Sequence, residues 1–95
     1  MWSVIKTFKD RELEKLFNRR YSKCPEKLHK RLRNRLYLID TAATKEDLAA
    51  IPGGCLEELS GDRLGQFSLR ISGNWRLCFS WDGSDVYDAE LVDYH

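Results

Sequence analysis

Apolar and polar residues alternate strictly over the last third of the chain. Phe67, Leu69 and Ile71 interleave with Gln66, Ser68 and Arg70, and Trp75, Leu77, Phe79 and Trp81 interleave with Asn74, Arg76, Cys78 and Ser80. A period of two predicts strands with one buried face. Ser72-Gly73-Asn74 predicts the turn between them, since Gly and Asn tolerate a positive φ. Keeping Ile71 and Trp75 on one face sets a three-residue loop, with Ile71 opposite Trp75 and Arg70 opposite Arg76. Like charges directly opposed repel. An anion between the guanidiniums relieves this, as does splaying into water or neutralisation by Glu90. Asp82-Gly83-Ser84 predicts a second reversal, after which Tyr87, Ala89 and Leu91 face the core. The returning strand then brings Asp93, Tyr94 and His95 back beside the first turn. Asn74, Arg70, Arg76 and the chain's last residues are therefore expected to cluster at one end of the sheet. Asp93 and His95 are expected on the core side and Tyr94 on the arginine side.

The earlier chain changes period. Residues 2–8 read as a first strand. Asp10 is placed to cap a helix running to about Arg20, with Leu13, Leu16 and Phe17 as its apolar stripe. Pro25 suits the first turn of a second helix, whose stripe is Leu28, Leu32, Leu36 and Ile39. Two helices so closely linked predict an antiparallel hairpin on one sheet face. Thr44 and Asp47 form a capping-box pattern for a short helix through Ala50, which Pro52-Gly53-Gly54 ends. Leu56-Glu57-Glu58-Leu59 is a short strand or an extended lead into the sheet. The expected architecture over residues 1–95 is one α+β domain. An N-terminal strand and a helical hairpin pack on a largely antiparallel sheet of three to five strands.

Ninety-five residues at 42% hydrophobic suit a single core. No apolar run is long enough to cross a bilayer, and Met1-Trp2-Ser3-Val4-Ile5-Lys6 lacks the plan of a signal peptide, so a cytoplasmic protein is expected. Cys24, Cys55 and Cys78 are odd in number and widely spaced, which predicts free thiols and no zinc site. No metal and no cofactor is expected, and residues 60–65 are not a Walker loop. The net charge of +1 conceals a strong asymmetry. Arg19, Arg20, Lys23, Lys27, Lys30, Arg31, Arg33 and Arg35 crowd one stretch, opposed there only by Glu26. Asp82, Asp85, Asp88, Glu90 and Asp93 fill a tail without Lys or Arg. Such a basic block suggests a polyanion surface, and the bland alternative is a solvated helix face.

Several stretches together resemble one family. They are Leu59-Ser60-Gly61-Asp62-Arg63, Ser68-Leu69-Arg70-Ile71, Asn74-Trp75-Arg76-Leu77-Cys78-Phe79 and the closing Val92-Asp93-Tyr94-His95. With Ile5-Lys6-Thr7-Phe8-Lys9-Asp10 and Leu16-Phe17, they are similar to the HigB toxins, or plasmid maintenance system killer proteins, of the RelE/ParE superfamily. The likeness spans nearly the whole chain. It implies a RelE-like fold and the toxin of a type II toxin–antitoxin pair, which cleaves messenger RNA on the ribosome without a metal. A HigA-like helix-turn-helix antitoxin neutralises such a toxin. By position, the family's functional residues fall on Asp93, Tyr94 and His95, and on Asn74 and Arg76, with Arg70 and Arg63 as further RNA contacts. Some members have His where this chain has Glu57, and Lys where it has Ser60.

The chemistry suits these types. The substrate's 2′-hydroxyl can serve as nucleophile. An arginine fork stabilises the crowded phosphate, Arg76 first and Arg70 second. His95 is the natural acid or base. Asp93 is its partner base or orients it, Tyr94 stacks on a base or donates a proton, and Asn74 positions the substrate. Lys27, Lys30, Arg31, Arg33 and Arg35 are expected to grip ribosomal RNA. His29 is expected to be a surface residue. The competing readings are a ParE-like inhibitor of gyrase without catalysis and a non-toxic RNA-binding module.

Overall fold

Four antiparallel strands in the order β1-β2-β3-β4 form the sheet that carries everything else. They are β1 Glu57–Glu58, β2 Gln66–Ser72, β3 Trp75–Trp81 and β4 Val86–Asp93. The computed structural model describes residues 4–63 and 65–93. Helices α1 (Arg11–Phe17) and α2 (His29–Thr41) cover one face, α1 against β4 and α2 against β2, and α3 (Lys45–Ala49) follows.

The core lies between helices and sheet. Leu13 and Leu16 of α1, and Leu32, Leu36 and Ile39 of α2, meet Phe67, Leu69, Leu77, Phe79, Val86 and Ala89. Full burial of each large side chain contributes about 1.5–3 kcal/mol, which is why the two apolar periods decide the architecture.

Local chemistry sets the helix ends. Asp10 caps α1 as expected, its carboxylate accepting from the N–H groups of Glu12 and Leu13. The helix stops at Phe17 rather than near Arg20, because Arg19 turns into the left-handed region at φ 60°. The link to α2 is therefore longer than the sequence implied. It passes through Pro25 into a 3₁₀ turn, Glu26–Leu28. The capping box at Thr44 and Asp47 is present in full.

Three strand details differ from expectation. The first strand is reduced to two isolated parallel bridges, Ile5 with Val86 and Phe8 with Ala89. Between them β4 bulges at Asp88, whose φ is 55°, and a bulge interrupts a ladder. Asp40, near the end of α2, instead accepts from the N–H groups of Val4 and Ile5 at 2.8 and 2.9 Å. The same bulge shifts the phase of β4. Val86, not Tyr87, takes the core side before it, and Ala89 resumes that side after it. Finally, the β2–β3 turn pairs Ser72 with Trp75, so Ile71 is bulged and does not oppose Trp75. Bulging lets Ile71 bury its side chain while Arg70 still faces Arg76.

Candidate functional site

Residues opposed in an antiparallel ladder share a face. The row Glu57, Ser68, Cys78, Glu90 and the next row Arg70, Arg76, Val92 therefore stand together on the face away from the helices. Trp75 and Asp93 pair with each other and belong to the helix side. Asp93 thus takes the core side as expected, while Arg70 and Arg76 lie on the other face and Asn74 lines the helix side with Asp93. Alternation makes this unavoidable, because neighbouring strand residues point to opposite faces.

On the open face Arg76 leans away from Arg70, toward β1. Its Nε donates to the hydroxyl of Ser68, a wholly buried residue. Its Nη2 donates to the Ser68 carbonyl at 3.1 Å and to the Cys55 carbonyl at 2.8 Å. Glu57 approaches the same Nη2 at 3.8 Å. Cys55 presents its carbonyl from a left-handed conformation, φ 45°. Gly54 lies close over the sheet, and its carbonyl accepts from the Arg70 N–H. Nη1 of Arg76 has no partner among the described residues. The repulsion expected between Arg70 and Arg76 is thus relieved by a lean toward Ser68 and Glu57. Glu90 reaches Lys9 at 3.6 Å.

The helix side holds a groove of about 820 Å³ between α2 and the β2–β3 turn. Lys27, Lys30, Arg31 and Arg35 line it from one side, and Asn74, Trp75 and Asp93 from the other. Arg31 donates to the Ile71 carbonyl at 3.2 Å, on the bulged turn. Burial, and then the neighbouring Arg31 charge, lower the pKa of Arg35 from its ordinary value. Its Nε is buried without a hydrogen-bond partner in the described structure. Arg33, expected to act with these cations, does not line the groove. Among the described residues, no ion pair engages Lys27, Lys30, Arg31 or Arg35.

Other candidates stand apart. Arg63 ends a 3₁₀ turn, Gly61–Arg63, and its side chain, like Tyr94 and His95 entirely, lies outside the described residues. His29 is half-buried rather than a surface residue, and its Nε2 meets the Cys24 carbonyl at 2.7 Å. No group of three or more His, Cys, Asp or Glu among the described residues could hold a metal ion. Sequence reasoning does not find Ser68 or the Cys55 carbonyl. A signal for Ser68 is nonetheless present: Arg70 opposite Arg76 places Ser68 diagonally beneath the Arg76 side chain.

Residues 6–95 match the family described as RelE-like toxin of type II toxin-antitoxin system HigB. The chain belongs to the HigB-like toxin family. Membership implies a cognate antitoxin. The chain is 36% identical over 93 residues to Endoribonuclease HigB of Proteus vulgaris, covering 97% of this chain and all of that one. It is 33% identical over 76 residues to Toxin HigB-1 of Vibrio cholerae, covering 78% of this chain and 80% of the relative. The fold is shared with the YoeB dimer structure from Staphylococcus aureus. That match has a TM-score of 0.62 at 23% identity and covers 100% of this chain and 99% of the other.

Proposed function

We propose that this HigB-like toxin arrests translation by cleaving messenger RNA held on the ribosome, and that its antitoxin is a HigA-like helix-turn-helix protein. The observation that carries the reading is Arg76. Among the described residues its guanidinium is held by three acceptors on the sheet face away from the helices, with Nη1 left to meet an anion. A guanidinium oriented in advance stabilises a crowded phosphate without reorganising during the reaction. Kinship with a relative named Endoribonuclease HigB supports the same chemistry.

Arg76 neutralises charge on the non-bridging oxygens, and exposed Arg70 across from it meets the neighbouring phosphate. His95 protonates the leaving 5′-oxygen, and Tyr94 stacks on a base. Asp93, on the face away from Arg76, orients His95 rather than taking the nucleophile's proton. Asn74, at the tip of the turn, positions the strand, and Arg63 adds a further RNA contact. Lys27, Lys30, Arg31, Arg33 and Arg35 hold ribosomal RNA. The reaction takes place in the cytoplasm, where the ribosomes are. No helix among the described residues is long and apolar enough to cross a membrane.

The test is induced expression with growth, translation and supercoiling read in parallel. Growth arrest with message cleavage is expected, abolished in Arg76→Ala and His95→Ala while circular dichroism stays unchanged. Arrest with inhibited supercoiling and intact messages would replace the nuclease by a gyrase inhibitor. Reversing Arg31 and Arg35 to Glu should weaken ribosome binding and flatten its salt dependence, since the slope falls by about one for each phosphate the protein stops neutralising.

A further inference from the structure

We infer that Tyr21, in the link between α1 and α2, stacks on an unpaired base of ribosomal RNA while Arg19, Arg20 and Lys23 meet the flanking phosphates; the inference rests on the ribosome reading above. Tyr21 is 83% exposed, more than any other large hydrophobic side chain among the described residues. A single exposed aromatic is common and by itself means little. What sets Tyr21 apart is how firmly the loop around it is held and what stands beside it.

The loop from Asn18 to Cys24 is tied down on both sides of the ring. Arg19 turns into the left-handed region, and the N–H groups of Arg19 and Arg20 donate back to the carbonyls of Leu16 and Lys15 at 3.1 and 2.8 Å. After Tyr21, the hydroxyl of buried Ser22 donates to the Glu12 carbonyl at 2.7 Å and accepts from the Cys24 N–H at 3.1 Å. The Lys23 N–H donates to the Glu12 carboxylate at 2.8 Å. That N–H, and then the Lys15 ammonium, hold Glu12 below the usual carboxylate range, so the tie persists at neutral pH. Burial alternates along this stretch: Ser22 and Cys24 are buried, Tyr21 and Lys23 exposed. The backbone on either side of Tyr21 is thus anchored to α1, and little loop entropy remains to be lost when the ring meets a partner.

The neighbours of Tyr21 decide what that partner is. Asn18, Arg19, Arg20 and Lys23 are all exposed, and no other exposed side chain from Asn18 to Cys24 is apolar. Among the described residues no salt bridge engages Arg19 or Arg20. The core of a protein–protein interface is depleted of charge, which this surface is not. An aromatic ring set among cations is instead what holds single-stranded RNA. Every base offers a π-face to the ring, and the cations follow the backbone. The same stretch of chain runs on to Lys27 and Lys30, which line the basic groove beside α2.

The experiment is binding of the purified toxin to purified ribosomes, for wild type, Tyr21→Ala, Tyr21→Leu and Tyr21→Phe, with chemical footprinting of the ribosomal RNA. Tyr21→Ala and Tyr21→Leu are expected to bind roughly 5- to 150-fold more weakly, the range for losing one stacked base. Tyr21→Phe should bind like wild type, because it keeps the ring. Circular dichroism and Tm should not change, since the side chain lies in water. The salt dependence of Tyr21→Ala should keep the wild-type slope, because tyrosine neutralises no phosphate. Arg19→Gln and Arg20→Gln should each lower that slope by about one. In message cleavage, Tyr21→Ala should raise the ribosome concentration for half-maximal rate and leave the maximal rate unchanged. A ribosomal base should be protected by wild type and Tyr21→Phe but not by Tyr21→Ala. Wild-type affinity in Tyr21→Leu overturns the inference, since it marks an apolar contact rather than stacking. A loss in Tyr21→Ala confined to antitoxin binding also overturns it, in favour of a protein partner. If wild type binds ribosomes and Tyr21→Ala binds equally well, the inference alone falls. A wild type without affinity for ribosomes overturns the ribosome reading and this inference together.

Discussion

Replacing Ser68 by alanine tests how Arg76 is held. Ser68 is wholly buried, and its hydroxyl accepts from Arg76 Nε. A hydrogen bond to a charged group contributes about 1.5–3 kcal/mol, and removing one partner leaves the other to bear its desolvation. Two terms reduce the loss here. The guanidinium keeps the Ser68 and Cys55 carbonyls, and alanine no longer buries a hydroxyl. The expected cost is therefore about 1–2 kcal/mol. In a domain of this size each kcal/mol shifts Tm by about 4–8 °C, so Tm should fall by about 4–16 °C. Glu57→Gln removes the other side-chain partner of the same guanidinium, but Glu57 is 63% exposed, and an exposed pair contributes about 0–1 kcal/mol. Thermal and urea unfolding followed by circular dichroism, on both single variants and the double variant, make the comparison. The two changes meet on one guanidinium, so they should not add exactly. Cleavage by Ser68→Ala should also drop, because the arginine is no longer oriented before the phosphate arrives. A Ser68→Ala variant no less stable than Glu57→Gln would refute the anchoring of Arg76 from beneath.

Gly54→Ala should lower the urea midpoint with little change in slope, at a cost of about 1–3 kcal/mol. A methyl there would sit 2.6 Å from Cδ1 of the fully buried Leu69 and 3.2 Å from the Ile51 carbonyl oxygen. In the native protein a thiol reagent should modify Cys55 quickly and Cys24 and Cys78 slowly, with all three reacting in denaturant. Cys55 is exposed and the others are buried, and burial also raises the Cys24 pKa. The backbone N–H groups of Asp85 and Ser84 hold Asp82 below the usual carboxylate range. A folded value below the unfolded one gives stability that is complete above the unfolded value and is lost as pH falls through the folded value. Urea titrations between about pH 5 and 2 should show that loss, and Asp82→Asn should flatten it.

Alternation in residues 66–81 was enough to define two strands, their inward faces and the opposition of Arg70 to Arg76. The caps at Asp10 and Thr44 were readable because each is a contact between near neighbours. The leucine stripe of α2 named its buried side in the same way. What escaped were bulges and diagonals. The bulge at Asp88, which moves Val86 inward and Tyr87 outward, comes with hydrogen bonds between the Thr7 hydroxyl and Asp88, residues 81 positions apart. The bulge at Ile71 comes with a two-residue turn, Gly73-Asn74, where three residues were expected, and it leaves Ile71 buried.

The candidate site divided along the same line. Residue types and their order determined the family and named Arg76, because local pattern survives in one dimension. That Arg76 lies against Ser68, the Cys55 carbonyl and Glu57 was decided only by tertiary structure. A sheet sends adjacent residues to opposite faces, and a long flexible side chain settles on whichever acceptors the neighbouring strand and loop bring within reach.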